Sequence, residues 1–410
     1  MTEPTTEPRH TLLPPDTAAA ALDLATTLAG QPRPAPTCVR PDLADGGPGI
    51  ALAYHQLHQS LPAHGWDDLA HGYLTASAAG ARRLHTTSPG LFGGLAGLAY
   101  TAWTLTGTTD TLPGIHENLT RQATAQAHTL THHPHGTPAR TFDTISGLTG
   151  TGAYLLCRHH EPQTRHALHA VLTALVTLCR EHDGTPHWYT PAAAIQDTAT
   201  RKEFPHGMLD HGLAHGIAGP LALLSLALAA DITVPGHTQA VARTAHWLAA
   251  QHTNDTHGPD WPAKTAPPGH PAPPTPRTAG ASWCYGSPGI ARSLWLAGSA
   301  LQDPTLLDLS LHAIKAVHQR PTARHRAHNA PGLCHGLAGL LHITARWAHE
   351  TKEPDLTHAA TELTQHLLTS GTFVTSNGPG LLDGTAGVLL ALLSATADTP
   401  PTWDRALLLA

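Results

Sequence analysis

Seven strongly apolar segments recur along the chain, and each of them follows a Gly-x-x-Gly turn. Because these segments are apolar on nearly all sides, the pattern predicts buried helices. The stretches between them are amphipathic, which is typical of helices with one solvent-facing side. Successive turns begin 48, 53, 69, 70, 50 and 48 residues apart. Their first glycines are Gly46, Gly94, Gly147, Gly216, Gly286, Gly336 and Gly384.

A repeat of about fifty residues accommodates two helices of ordinary length with their connections. We therefore predict seven helical hairpins, each with one inner and one outer helix. Such repeats either stack into an open solenoid or close on themselves. Near-equal repeats without polar capping helices favour closure, so we predict an all-α fold, an α/α toroid formed by a single domain over residues 1–410. Residues 1–40 are expected to form an N-terminal extension and an outer-helix segment.

The turn glycines are expected to allow a positive φ at the entry to each inner helix and to let the inner helices approach closely. Two intervals are about twenty residues longer than the rest and contain residues 181–207 and 251–280, which are rich in proline and glycine. Proline excludes long helices there, so both segments are predicted to be loops or short hairpins. Long loops on a compact repeat fold are commonly functional, and these two are expected to line one side of a cleft.

Composition narrows the possible classes of protein. The chain is 41% hydrophobic and 13% charged, with a formal net charge of −6, so there is no basic surface for nucleic acid. Five cysteines, an odd number in a long chain, argue against a disulfide framework. The N-terminus lacks the pattern of a secretory signal, and the most apolar run is shorter than the ~20 residues that a membrane helix needs. We therefore expect a cytoplasmic protein without a transmembrane segment.

Two cysteines occupy equivalent positions in adjacent repeats. Cys284 and Cys334 each lie two residues before the first glycine of a turn, and His335 follows the second cysteine. Neighbouring turns of a closed ring would bring these three side chains together. Two thiolates and an imidazole are suitable ligands for Zn²⁺, and three protein ligands leave a fourth position open, as in catalytic sites. Cys157 and Cys179 are expected to be core residues, and Cys38 has no evident partner.

The segments "WCYGSPG", "LCHGLAG", "GLAHGIAG" and "LLDGTAG" resemble the lanthionine synthetase C (LanC-like) family, and the resemblance covers essentially the whole chain. It implies a stand-alone cyclase of the class I lantibiotic type with a zinc-dependent α/α toroid. Members add cysteine thiols of a dehydrated precursor peptide to dehydroalanine or dehydrobutyrine, which closes lanthionine or methyllanthionine rings. The implied partners are this precursor with its leader, and a complex with a lantibiotic dehydratase and a transporter is compatible with the resemblance.

The resemblance also assigns roles to residues outside the metal site. His215 matches the family's acid or proton relay, and Asp143 matches the aspartate that would orient or charge-pair it. Tyr285 either packs at the mouth of the toroid or hydrogen-bonds the developing enolate. The family often carries an arginine four residues before the first zinc cysteine, where this chain has Gly280. Arg277, three residues further back, is the candidate to replace it.

Other interpretations remain open at this point. A LanC-like protein could add small thiols to dehydroamino acids, or act as a scaffold, without a lanthipeptide precursor. An unrelated toroid enzyme, such as a glycosidase or a terpenoid cyclase, would leave the cysteines unexplained, and the turns lack the two placed carboxylates that glycosidases need. His206 and His211 suggest a second metal site, but we expect both to be solvated loop histidines.

Overall fold

The structure is a computed structural model, and it describes residues 12–30, 36–62, 65–84, 88–108, 111–132, 136–273, 280–321, 330–370 and 378–410. These residues form sixteen α-helices and three two-stranded antiparallel sheets. In chain order the helices are α1 (Pro15–Ala29), α2 (Gly47–Ser60), α3 (Trp66–Ala81), α4 (Leu95–Thr106), α5 (Pro113–Thr131), α6 (Ala139–Phe142), α7 (Leu148–Cys157), α8 (Pro162–Leu178), α9 (Thr198–Glu203), α10 (Ala218–Ala229), α11 (His237–Ala250), α12 (Ser287–Leu301), α13 (Pro304–Gln319), α14 (Leu337–Thr351), α15 (Pro354–Thr369) and α16 (Thr385–Thr396).

Seven of these helices form a closed inner ring. Each follows one of the Gly-x-x-Gly turns, and each contacts the next in the order α2, α4, α7, α10, α12, α14, α16 and back to α2. The outer partners are α3, α5, α8, α11, α13 and α15, and α1 packs against α16 as the outer helix of the last pair. Inner helices are buried on nearly all sides; every residue of α16 from Ala386 to Ala395 is buried. The predicted seven-hairpin α/α toroid is confirmed.

Backbone hydrogen bonds between successive turns also close a ring at the end of the toroid where the inner helices begin. Each bond joins one turn to the next near the position two residues before the first glycine. The bonds, with donor–acceptor distances of 2.8 to 3.3 Å, run from Ala44 N to Phe92 O, Phe92 N to Ile145 O, Thr144 N to Ala214 O, Ala214 N to Cys284 O, Cys284 N to Cys334 O, Cys334 N to Leu382 O, and Leu382 N to Ala44 O. The turns of Cys284 and Cys334 are therefore directly bonded neighbours.

The turn glycines differ from the prediction in one respect. The first glycines of the turns do not have positive φ; Gly46 has φ −94° and Gly286 has φ −175°, which is extended backbone. The expectation of a left-handed entry was wrong. The reason for glycine is space, because a Cβ at Gly46 would collide with the carbonyl oxygen of Arg40, and one at Gly286 would collide with the backbone nitrogen of Ser282. The turn folds back so closely on itself that no side chain fits.

The two long intervals are joined to each other by a short sheet. The strands are β1 (Glu181–His182), β2 (Thr185–Pro186), β3 (Leu209–Asp210), β4 (Thr253–Asn254), β5 (Pro259–Asp260) and β6 (Lys264–Thr265). β1 pairs with β2 and β4 with β5, whereas β3 pairs with β6 across more than fifty residues. In that pairing Asp210 lies directly opposite Lys264. The second long interval is thus held against the turn that begins at Gly216.

The C-terminal segment lies within the inner ring. A 3₁₀-helix at Trp403–Leu407 is largely buried and receives hydrogen bonds from several sides of the ring. The Tyr100 hydroxyl donates to the Trp403 carbonyl at 2.9 Å, the Trp283 indole to the Leu407 carbonyl at 3.0 Å, and the Arg292 guanidinium to the Leu409 carbonyl. The segment therefore supports the residue immediately before Cys284. No helix among the described residues is long and apolar enough to cross a membrane.

Candidate functional site

Three metal-ligating side chains meet where the turns of Cys284 and Cys334 adjoin. One ligand atom from each of Cys284, Cys334 and His335 lies within 4.8 Å of the other two. Cys284 is buried, Cys334 is half-buried and His335 is exposed, so the cluster opens towards solvent on the imidazole side. The hydrogen bond from Cys284 N to Cys334 O, 3.2 Å long, holds the two cysteines in place. The three residues predicted from the turn alignment therefore come together.

The donor set fits Zn²⁺. A tetrahedral zinc ion with bonds of about 2.0–2.3 Å separates its ligand atoms by about 3.3–3.8 Å, which is compatible with three ligand atoms that lie within 4.8 Å of one another. The pKa of the Cys284 thiol is lowered because the Cys334 thiol and His335 donate hydrogen bonds to its thiolate, while the pKa of Cys334 is raised by the same charge. One thiolate is thus favoured before any metal binds. His335 Nδ1 lies 3.5 Å from Asp383 Oδ1, a carboxylate that would orient the imidazole.

His215 and Asp143 form a hydrogen-bonded pair across adjacent turns. His215 Nδ1 lies 2.7 Å from Asp143 Oδ2, and the Asp143 side chain is buried. Burial acts to lower the pKa of His215, but the hydrogen bond and charge of Asp143, with further charge from Asp210 and Cys284, raise it on balance. The imidazolium is therefore more stable here than in a free histidine, and Asp143 leaves Nε2 as the nitrogen that can donate a proton to another group.

Tyr285 is part of a network that the sequence did not predict. Its hydroxyl donates to Asp210 Oδ2 at 2.9 Å, and Lys264 Nζ lies 3.3 Å from the same oxygen and 4.0 Å from the centre of the Tyr285 ring. The rings of Tyr285 and His215 are 6.0 Å apart. Burial and the negative charge of Asp210 raise the pKa of Tyr285, so its phenol stays protonated. Asp210 and Lys264 are functional candidates that the sequence reasoning missed.

A cavity of about 450 Å³ adjoins His215 and Tyr285. Its walls include His215, Asp143, Tyr285, Asp210 and Lys264, together with residues 194–197 of the first long interval. The cavity is therefore lined both by the His215–Asp143 pair and by the network of Tyr285, Asp210 and Lys264, next to the turn that carries Cys284. The expectation that the long intervals line a cleft is confirmed, since residues from both of them form its walls.

The remaining predicted residues have different outcomes. Arg277 is outside the described residues. Gly280 has φ +81°, a conformation that residues with side chains rarely adopt, so the backbone there is not arranged for an arginine. His206 is exposed as expected, but His211 is buried, and its two ring nitrogens lie within hydrogen-bond distance of the Pro262 carbonyl and the Thr265 hydroxyl. The prediction of a solvated His211 was wrong because the β3–β6 pairing covers it.

The other cysteines lie away from this site. Cys179 is buried, and burial raises the pKa of its thiol to about 11. Cys157 is half-buried in α7, with a pKa raised to about 12 for the same reason. Both thiols therefore remain protonated near neutral pH, in agreement with packing roles. Cys38 is half-buried and belongs to the segment before the first turn.

The fold and the site define a class: an α/α toroid with a Cys₂His cluster beside a histidine–aspartate pair at one end. Comparison with known proteins identifies the family. The profile of the lanthionine synthetase C-like protein family matches residues 37–408, so the chain belongs to that family.

A sequence comparison and a structure comparison agree with this assignment. The nisin biosynthesis protein NisC of Lactococcus lactis subsp. lactis is 24% identical over 274 residues, which cover 65% of this chain and 64% of that protein's length. A solved structure of nisin cyclase superposes with a TM-score of 0.76 and 19% identity, covering 96% of both chains. The structural match shows that the toroid fold is shared over 96% of each chain.

Proposed function

We propose that this protein is a zinc-dependent peptide cyclase that adds cysteine thiols of a dehydrated precursor peptide to dehydroalanine or dehydrobutyrine residues. The observation that carries the proposal is the meeting of Cys284, Cys334 and His335 within 4.8 Å, next to the His215–Asp143 pair. One group can hold a thiolate-activating metal, and the other can supply a proton. Thioether formation by conjugate addition uses both functions, activation of the thiolate and donation of a proton.

Cys284, Cys334 and His335 would hold the ion. When bound, Zn²⁺ supplies an open position that favours the thiolate form of a peptide cysteine near neutral pH. The two cysteine ligands contribute negative charge, which keeps the sulfur electron-rich and nucleophilic. Asp383 supports this arrangement by facing the His335 ring. The backbone ring of hydrogen bonds fixes the relative position of the two turns before any ligand arrives.

His215 is assigned the second half of the reaction. As the sulfur bonds to the β-carbon of the dehydro residue, the double-bond electrons move towards the neighbouring carbonyl and form an enolate. The His215 imidazolium then gives its proton to the α-carbon, and solvent restores that proton; the thiol's own proton also leaves to solvent. Asp143 holds Nδ1 of the imidazole and stabilises its charged form. Such general acid catalysis contributes typically about 10²–10⁴-fold.

The substrate class follows from the family and from the relatives' names. The matching sequence is called a nisin biosynthesis protein and the matching structure a nisin cyclase, which supports a precursor peptide as the partner of this chain. The cavity beside His215 is open to solvent and lined by both polar and apolar groups, as a peptide segment requires. The addition of small thiols without ring formation has no comparable support.

The test measures metal content and ring closure together. We expect about one zinc per chain in wild-type protein and its loss in Cys284→Ala, measured by inductively coupled plasma mass spectrometry. Ring closure leaves the peptide mass unchanged, so remaining thiols are capped with N-ethylmaleimide and the capped fraction is followed by mass spectrometry. A folded, chelator-free wild type without zinc would overturn the metal site. Addition of free glutathione with no intramolecular ring would favour the small-thiol alternative instead.

A further inference from the structure

We propose that Lys264 is a catalytic residue that hydrogen-bonds the carbonyl oxygen of the dehydro residue and stabilises its negative charge while the thioether forms. The inference rests on the proposed function and adds to it a charge-stabilising group from the second long interval. Lys264 donates hydrogen bonds only and transfers no proton. The sulfur–carbon bond forms, the double-bond electrons move to the carbonyl oxygen, and they return to the α-carbon when His215 protonates it.

The position of Lys264 is built into the fold. β6 places it directly opposite Asp210 of β3 in an antiparallel pair, and cross-strand partners of opposite charge stabilise such pairs. Asp210 Oδ2 lies 3.3 Å from Lys264 Nζ, and the face of the Tyr285 ring lies 4.0 Å away. A carboxylate on one side and an aromatic face on another restrict the ammonium to a small region of the cavity wall.

The ammonium retains capacity to bind a ligand. A lysine has three N–H donors and no acceptor, and the contacts with Asp210 and the Tyr285 ring leave at least one donor directed elsewhere. The side chain is 20% exposed, and Lys264 lines the cavity that also contains His215 and Asp143. Tyr285, by contrast, donates its single hydroxyl proton to Asp210. Lys264 is therefore better placed than Tyr285 to donate a hydrogen bond to an oxygen in the cavity.

Lys264 and His215 are placed so that both can act on the same dehydro residue of the bound peptide. The α-carbon that receives the proton and the oxygen that carries the charge are separated by two bonds. Both side chains lie close to Tyr285, whose ring is 6.0 Å from the ring of His215 and 4.0 Å from Lys264 Nζ, and all three residues line the same cavity. An acid and a cation that line one cavity and adjoin the same tyrosine can both reach a dehydro residue bound there.

The loss of rate expected on substitution of Lys264 can be estimated from other enzymes that stabilise an oxyanion. Removal of one preorganised donor to a developing oxyanion costs about 10²–10³ in rate. Lys264 is partly exposed and shares its charge with Asp210, so we expect about a 10- to 100-fold loss on Lys264→Met. Methionine has a similar length and no charge. Lys264→Arg keeps a cation at this position and should retain most of the rate. Lys202→Met is the matched control, because it removes an exposed lysine of the first long interval, in α9.

The experiment uses full-length protein and a synthetic peptide with one dehydroalanine and one downstream cysteine, under single-turnover conditions with enzyme in excess. Ring closure is followed by thiol capping, and zinc content and peptide Kd are measured for every variant. Support requires a slower chemical step in Lys264→Met at unchanged zinc and Kd, recovery in Lys264→Arg and a normal rate in Lys202→Met. If Lys264→Met does not fold, Lys264→Gln replaces it.

The outcomes separate this inference from the proposed function. A wild-type rate in Lys264→Met, with the wild-type protein closing rings, overturns the role of Lys264 and leaves the cyclase proposal intact. A change confined to Kd also overturns it, because Lys264 would then only hold the peptide. A wild-type protein that contains zinc but closes no ring on this peptide, or on the dehydrated precursor, overturns the function and with it the role of Lys264.

Discussion

Asp143 uses its two carboxylate oxygens for different partners, and one of these is His215. Oδ2 lies 2.7 Å from His215 Nδ1, whereas Oδ1 accepts hydrogen bonds from the backbone nitrogens of Ser146 and Gly147 at 2.7 and 2.8 Å. Oδ1 therefore stabilises the turn that precedes α7, while Oδ2 holds the imidazole of His215, which lies immediately before the first glycine of the neighbouring turn. A role in stabilising the turn and the proposed role in catalysis are therefore compatible in this one residue.

Asp143→Asn should change the pH dependence of ring closure. The pKa of His215 is raised in the folded protein, so the imidazolium is fully present below its usual value of about 6.5 and is lost as pH rises through the raised pKa. Asp210, Cys284 and the protonated Tyr285 also face this histidine, but Asp143 makes the only hydrogen bond to it among the described contacts. Without the carboxylate charge, the fall in rate should move to lower pH.

The measurement is the single-turnover rate from pH 5.5 to 8.5, corrected for uncatalysed thiol addition, which itself increases with pH. Zinc content serves as the control for the metal site. An unchanged pH profile in Asp143→Asn would contradict the assignment of the descending limb to His215. The ion pair should also stabilise the fold at low pH, so the difference in unfolding free energy between the two proteins should shrink as pH rises.

His215→Ala should retain the metal and lose rate. The residue is not one of the three metal-ligand candidates, so about one zinc per chain is expected to remain. Loss of the acid should slow ring closure by about 10²–10⁴-fold. Metal analysis and the thiol-capping assay on the same preparation check both statements. His206→Ala is the control, because His206 is exposed and belongs to the same sequence segment. A wild-type rate in His215→Ala would rule out the proposed donor.

The repeat architecture could be predicted from sequence because its signal is local. Each Gly-x-x-Gly turn marks the start of a buried helix, and the alignment of seven turns was enough to place Cys284 beside Cys334. The alignment could not reveal that the glycines are required by backbone contact rather than by positive φ, since both causes select the same residue. It also gave no sign that Trp403 and the residues after it would lie inside the ring.

Lys264 and Asp210 were missed because they belong to no repeat. Their contact depends on a two-residue strand pairing between two irregular segments, and such short strands carry almost no periodic signal. One feature could have drawn attention to Lys264. The chain has only four lysines in 410 residues, and this one lies between a tryptophan and a run of prolines in the second long interval. The same pairing explains why the burial of His211 was not foreseen.

Cys334→Ala and Cys284→Ala should abolish metal binding and ring closure while leaving the helical fold in place. The core is formed by the inner and outer helices, and both cysteines lie in the turns at one end. Circular dichroism should therefore show wild-type helicity, and mass spectrometry should show no stoichiometric zinc. Cys179→Ala is the control, because that thiol is buried away from the turns and its loss should leave zinc unchanged. Zinc retained in either turn variant would contradict the ligand assignment.

Gly150→Ala should destabilise the protein, although alanine is the better helix former. Gly150 is the second glycine of its turn, in the first residues of α7, and an added Cβ would collide with the Thr144 carbonyl oxygen and approach the Leu91 side chain. The backbone of two adjacent turns must move to remove this collision, so we expect a loss of about 1–3 kcal/mol in unfolding free energy. Gly114→Ala is the matched control: Gly114 lies in α5 with open space around it, and alanine there should stabilise by about 0.5–1 kcal/mol. Urea denaturation of both variants distinguishes the two effects, because the difference between them removes the common gain in helix propensity. Equal stability changes would mean that the turns can separate without cost, which contradicts the continuous backbone ring.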